Sequence, residues 1–568
     1  MRTLRSIVPA VALALTTLAI AAPAHADPAA VRKAMEDEMA RSLEGLRLGA
    51  SGPPYYLRYT IIDGDHARVS ARLGSLVEST RNKGRFARID ARVGSPAEDN
   101  TNFMFASSGT TAGVSQEDDY AALRRDLWLL TDHEYKQVLD TLARKKASHA
   151  VQSTEKDKLD DFAPAPVVQS VVDRPLVIPD DGRAKVEALV VNLSRIFREY
   201  PTVNSGIVEA GMGVIRRRLL TSEKTWADEG WTRVEVDVSA ETVAEDGQRL
   251  YASLRFSSVD VAGLPGEVKM AADIRALAKN LAAQRTAPTV DAGTATVLFE
   301  DQAAAQLARL LFTSPLSGQP IPRMVGEAPR DGSSSFADKF GLRVAPTWLN
   351  VVDDPLGLGP GKRGLYGNYH VDDEGVAAER VPLIDHGVVK GLLMSRTPRK
   401  EIKRSNGHGR SGEGVVRGLA STVFVTTQGG LGHADLLAAA VRSAGPGGTV
   451  YVVRQLGESS AVGRGQTLDA RVAFRYKDGK EEVVRGLSLE GFSPRKLKKD
   501  LIASGRDPVV YEESSGSPVS VVSPALLFED VDVGKPNDKN KRPPLYPSPL
   551  AEAPVEVPVI PARRREGP

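Results

Sequence analysis

The chain has 568 residues, 74 Lys and Arg against 72 Asp and Glu, and a formal net charge of +2. Charges this evenly matched argue against nucleic acid or a membrane surface as the main partner. With no cysteine, the chain has no disulfide, no thiolate ligand and no thiol to acylate, so its stability must come from packing.

Residues 1–26 read as a secretory signal peptide. Arg2 and Arg5 precede an apolar stretch at 7–22, and Ala24-His25-Ala26 forms a small-x-small cleavage site. Pro9 and Thr16-Thr17 interrupt the stretch, which is too short for a span of about 20 residues. The expectation is an exported protein, periplasmic or secreted, with no membrane partner.

Residues 27–48 carry Val31, Met35, Met39, Leu43 and Leu46 at helical spacing, and Gly52-Pro53-Pro54 ends that helix. Residues 55–62, 67–79 and 85–93 alternate as strands, with Asp63-Gly64-Asp65 as a polar turn between the first two. Helices follow at 118–148 and 183–199, then strands at 204–210, 213–221, 231–239 and 249–259. An amphipathic helix at 268–285 closes the first half. Arg216-Arg217-Arg218 reads as a half-solvated strand face. His133-Glu134 lacks the second histidine of a zinc motif, because position 137 is Gln137, and reads as a helix-surface pair.

The second half opens with a strand at 294–299 feeding a helix through Leu307 to Leu311. A Gly/Ser/Pro-rich loop occupies 315–335. Leu383-Ile384-Asp385-His386-Gly387-Val388-Val389 has the grammar of a hairpin, with aliphatic residues around a turn glycine. A helix at 434–444, strands at 450–456 and 468–476, and a tight turn at Asp478-Gly479 come next. From Pro536 the chain is Pro-rich and charged, the composition of an extended tail. The expected domains are 27–287, an N-terminal α+β domain, and 288–535, a β-rich domain, flanked by the 1–26 leader and the 536–568 tail.

Asp372-Asp373-Glu374-Gly375 leading into the hairpin and Lys390-Gly391-Leu392 resembles the TldD/PmbA family (the microcin-processing, modulator of DNA gyrase peptidases). Leu349-Asn350-Val351-Val352-Asp353-Asp354-Pro355, Ser405-Asn406-Gly407-His408-Gly409-Arg410 and Leu487-Ser488-Leu489-Glu490-Gly491 follow the family's order of features. The resemblance implies an α+β fold with a sheet-and-helix N-terminal domain and a β-rich C-terminal one.

Catalytic members of that family carry His-Glu-x-x-x-His on the helix after the first C-terminal strand, plus a distant cysteine. Together these supply three zinc ligands, an open water position and a general base. The matching positions here hold Arg309, Leu310 and Ser314, and the cysteine position, expected within 509–516, cannot be filled. The resemblance therefore implies the PmbA-like branch without the zinc motif. No catalytic residue is assigned, and zinc is expected only in a catalytic homologue.

Two further groups stand out. His370, Asp372 and Glu374 would share one side of an extended segment, a face able to hold a divalent cation; the plainer reading gives the acidic segment to the fold. Asn406, His408 and Arg410 flank glycines that let a backbone approach closely, a possible cleft, although an exposed loop histidine is the plainer reading. Gly359-Pro360-Gly361 is followed by a strand and not a helix, which excludes a dinucleotide loop. The favoured function is a pseudoenzyme subunit, a homodimer or a heterodimer with a zinc-bearing TldD-like homologue in peptide processing. An active peptidase with an unrecognised site and a periplasmic peptide-binding homodimer are the alternatives.

Overall fold

A computed structural model describes residues 28–103, 106–150, 159–172, 180–319, 336–411, 414–462, 465–492, 494–514 and 516–535. The leader, the 536–568 tail and most of the 315–335 loop lie outside these residues. The architecture is α+β, with one seven-stranded sheet in the first half and one eleven-stranded sheet in the second. Among the described residues no helix is long and apolar enough to cross a membrane.

The first half runs α1 (Pro28–Gly45), β1 (Tyr56–Arg72), β2 (Ser75–Arg92), β3 (Thr110–Gly113), α2 (Tyr120–Ala150), β4 (Gln169–Val171) and α3 (Asp180–Arg195). It continues through β5 (Ser205–Thr221), β6 (Trp226–Val243), β7 (Arg249–Ser258) and α4 (Glu267–Gln284). The sheet order is β3-β2-β1-β5-β6-β4, with β7 also on β6.

The strands β1, β2, β5 and β6 are each 17 or 18 residues long, longer than the sequence suggested. Asp63-Gly64-Asp65 is not a turn: it lies in the middle of β1, paired in register with Lys83, Gly84 and Arg85. Its polarity is matched by charge. Asp63 meets Arg85 and Arg218, and Asp65 meets Arg81 at 2.7 Å. The reversal comes later, at Leu73-Gly74, where both φ values are positive, as a tight hairpin requires. Likewise Gly211-Met212-Gly213 runs through the middle of β5 without a break.

Strand alternation gives the sheet two faces. Leu57, Tyr59 and Ile61 pack under α1 and α2. Val69, Val208 and Val236 pack under α3 and α4. The intervening residues, among them Arg58, Arg88, Arg217 and Arg233, point the other way, toward the second half.

The second half runs β8 (Gly293–Phe299), α5 (Asp301–Phe312), β9 (Leu349–Asp353), β10 (Val381–Asp385), β11 (Val388–Val389), β12 (Thr422–Thr427) and α6 (His433–Ala444). Strands β13 (Val450–Val462), β14 (Gly465–Lys477), β15 (Lys480–Val484), β16 (Ser488–Phe492), β17 (Leu501–Glu513) and β18 (Val519–Gly534) complete it. Because β8 pairs with both β13 and β18, the ladder β8-β13-β14-β16-β18 closes on itself. Closure removes the free edges that an open sheet would expose.

Val297 and Phe299 pack with α5 through Leu307 and Leu311, whereas Leu298 turns to Leu436 and Ala440 of α6. Each of the buried Val, Leu and Phe side chains among them contributes about 2 kcal/mol. Phe299, Phe492 and Phe528 meet edge to face at 5.5 to 5.8 Å, the geometry favoured by aromatic quadrupoles. The β10–β11 hairpin turns at His386-Gly387, both at positive φ.

Candidate functional site

Helix α5 follows β8 directly, and its apolar positions Ala304, Leu307, Ala308 and Leu311 face the core. That periodicity turns Arg309 outward, where it forms an ion pair with Glu513 at the end of β17. Leu310 lies half-buried against the core, and Ser314 begins a single 3-10 turn. Glu513 lies within 509–516, the segment to which the resemblance assigns the cysteine ligand. A guanidinium neutralised by a carboxylate therefore stands where imidazole and thiolate would be needed. Zinc does not fit this set: Arg309 offers positive charge in place of a lone pair, and Leu310 cannot act as a base.

The 371–376 segment is a turn and not an extended strand, with Val371 bridged to Ala377. Asp372 and Glu374 consequently come side by side around Gly409, whereas His370 turns away from them. The partly exposed His370 reaches toward Glu229, its Nδ1 3.8 Å from Oε1. Asp372 is buried and accepts three backbone N–H bonds, from Glu374 at 2.9 Å and from Val376 and Gly409 at 2.8 Å. Burial, with Glu374 beside it, pushes its carboxyl up to about 7. Glu374 accepts from Arg92 at 3.3 Å and from the Arg396 N–H at 2.6 Å. Both carboxylates are thus occupied in holding the turn. A Cβ added at Gly409 would stand 2.5 Å from Glu374 Oε2 and 3.0 Å from Asp372 Oδ2, so this glycine is required by close approach. Among the described residues no group of three His, Cys, Asp or Glu side chains is placed to hold a metal ion.

Of the three cleft candidates, only Arg410 reaches a cleft. His408 is fully buried, not an exposed loop residue. Its Nε2 lies 3.3 Å from Asp353 Oδ1, and its Nδ1 lies 3.0 Å from the Asn406 carbonyl. Burial works against the Asp353 charge, but the facing imidazole and the Ser421 donors hold its carboxyl below the usual range. Asn406 is also structural, accepting from Met394 N–H at 2.9 Å and donating to Leu392 O at 2.8 Å.

Two other expectations need correcting. Within the Arg216–Arg218 run, Arg216 pairs with Asp228 at 2.7 Å, Arg217 with Glu229 at 3.2 Å, and Arg218 with Asp63 at 2.8 Å. Strand alternation places the middle residue on the opposite face from its neighbours, so this is a set of ion pairs and not a solvated patch. Glu134 is buried rather than on the helix surface. It accepts from Thr110 Oγ1 at 2.7 Å, and burial pushes its carboxyl up to about 7.

Between the two sheets lies a cleft of about 390 Å³. Its floor is the face of the first sheet away from the helices, with Arg58 on β1, Arg88 on β2, Arg217 on β5 and Arg233 on β6. The second half covers it with Tyr366, Tyr369, Asp373, Arg410 and Pro518. Arg58 pairs with Asp90 at 3.0 Å, and Arg217 binds Glu229, Asp373 and the Val371 carbonyl.

Among the described residues the other three arginines form no ion pair. Arg88 donates to the Ser108 and Gly414 carbonyls, and Arg410 to those of Ala420 and Pro518. Arg410 also lies 4.9 Å from the Tyr369 ring centroid. Among the described residues Arg233 makes no hydrogen bond; its guanidinium stands 5.5 Å from the Tyr366 ring centroid, and its buried Nε has no acceptor. Burial, with Arg410 nearby, pulls it down to about 10, which leaves it charged at neutral pH.

Sequence reasoning reached Arg410 but missed Arg58, Arg88 and Arg233. The available signal was strand alternation: Val234, Val236 and Val238 set the core face of β6, so Arg233 had to lie on the other side.

Residues 292–535 match the model of the PmbA/TldA metallopeptidase C-terminal domain. Over the whole fold, the chain is similar to TldE of Thermococcus kodakarensis, with a TM-score of 0.61 at 14% identity over 88% of this chain and 100% of that one. It is also similar to a candidate modulator of a DNA gyrase from Thermotoga maritima, with a TM-score of 0.59 at 15% identity over 89% and 100%. A metalloprotease of Methanocaldococcus jannaschii is 31% identical over 125 residues, 21% of this chain and 26% of the relative. One of Methanothermobacter thermautotrophicus is 31% identical over 166 residues, 28% and 33% respectively. The chain thus aligns with about a quarter to a third of the length of these curated relatives. The fold is of the TldD/TldE type. The match over 292–535 places the C-terminal part of the chain in the TldD/PmbA family.

Proposed function

We propose that this protein is an exported, zinc-free TldD/PmbA-family subunit that works by binding and not by cleavage, as the non-catalytic partner of a zinc-bearing homologue in peptide processing. The observation that carries this reading is the Arg309–Glu513 ion pair, which stands at the positions to which the resemblance assigns two of the metal's ligands. The leader-like residues 1–26 support export, which cell fractionation would check. A peptidase built on His370, Asp372, Glu374 and His408 has less support, because the three buried members are already engaged in holding the backbone or each other's surroundings.

The test is co-expression with a homologue carrying His-Glu-x-x-x-His and the cysteine. Co-elution on size exclusion, with zinc only in the complex, supports the reading. Separate elution together with zinc in the lone chain overturns it.

A further inference from the structure

Burying a guanidinium without a counter-charge is costly, and folded proteins ordinarily pair such groups. Among the described residues of the cleft, Arg88, Arg233 and Arg410 form no ion pair, and Arg233 is the least satisfied of the three. Glu235 and Glu512 pull on Arg233 from a distance but form no ion pair with it. The Asp373 carboxylate is already taken by Arg217 and by the Ser411 N–H and Oγ, each Ser411 bond at 2.8 Å. Arg217 and Arg410 hold Asp373 ionised against the effect of burial. The positive charge left over therefore faces open volume.

We infer that this cleft is a binding site for a carboxylate-bearing ligand with an apolar or aromatic body. The guanidinium fork matches the two oxygens of a carboxylate in one plane. The lining residues lie on strands and loops, so no helix N-terminus enters to favour a phosphate. Ile62, Ile215, Trp231, Tyr366 and Tyr369 form an apolar wall beside the arginines, and a volume of about 390 Å³ suits a small-molecule-sized guest. The source of the carboxylate is either a peptide or a free dicarboxylate. This inference does not depend on the partner-subunit reading, because it concerns the lone chain.

The experiment is calorimetric titration of the purified chain, without partner or added zinc. The probes are N-acetyl-phenylalanyl-glutamate, its fully amidated counterpart, glutarate and inorganic phosphate. The acid dipeptide should bind at least about tenfold more tightly than the amide, and Arg233→Gln and Arg88→Gln should each weaken it by about tenfold, the effect of losing a charge-assisted hydrogen bond. The amide's affinity should not change. Thermal melts of both variants control for folding. Tighter binding of the dipeptide than of glutarate supports the site with its apolar wall and assigns a peptide source; equal binding overturns the apolar or aromatic body and leaves a bare dicarboxylate. Preference for phosphate, indifference to both substitutions, or no binding of any probe overturns it.

Discussion

The two faces of the first sheet carry arginines in similar number but under different terms. On the helix side, Arg81, Arg85, Arg216 and Arg218 each meet a carboxylate from a neighbouring strand or loop. On the cleft side, Arg58 and Arg217 are paired in the same way, but Arg88 and Arg233 meet carbonyls, an aromatic ring or nothing. The strands are the same and so is the residue type, so the difference lies in what each face has to do. Charge that serves the fold is neutralised within the fold, and charge left open is available to a partner.

Breaking the neutralised face should have the largest effect. Asp63→Ala leaves Arg218 with only the more distant Asp228 at 4.0 Å and Arg85 with Asp118 alone, and removing one partner of a buried network costs about 3 kcal/mol or more, measurable by urea unfolding. A loss below about 1 kcal/mol would show that the network does little for the fold.

Glu134 sharpens the contrast as a buried acid with hydroxyl partners and no ion pair. Its carboxyl titrates at about 7 in the folded protein against 4.5 for an ordinary glutamate, so the folded state holds the proton more tightly. The penalty is absent below about pH 4.5, grows as pH rises through 7, and is complete above it. Glu134→Gln should therefore gain on the natural protein by about 2–3 kcal/mol between pH 5 and pH 8. A stability difference that stays flat across that range would contradict the assignment.

Gly409→Ala should cost about 1–3 kcal/mol by overpacking against Glu374, since the Arg396 N–H fixes that carboxylate. Denaturant unfolding checks this too. The smallest effect belongs to the cleft: Arg233→Gln should change stability by less than about 1 kcal/mol, or raise it, because no ion pair is lost. A large loss would mean that Arg233 serves the fold.

Legibility in the sequence followed the range of the interactions involved. Helices α1, α4, α5 and α6 announce themselves through apolar spacing, because periodicity is local. The absence of a zinc motif at Arg309, Leu310 and Ser314 was equally readable. Asp63-Gly64-Asp65 was misread as a turn because its neutralising arginines lie on other strands, some of them far along the chain. The burial of His408 depends on Asp353, and the 371–376 turn on Gly409, neither of which is a neighbour in sequence. The cleft was least legible, since it takes one to three residues from each of five strands of the first sheet and the rest from the second half.

The account turns on whether α5 and the end of β17 hold a metal. The most direct measurement is the zinc content, by mass spectrometry, of the chain expressed alone in zinc-supplemented medium and then dialysed. The account predicts far less than one zinc per chain, unchanged by Arg309→Ala. One zinc per chain surviving dialysis would contradict it.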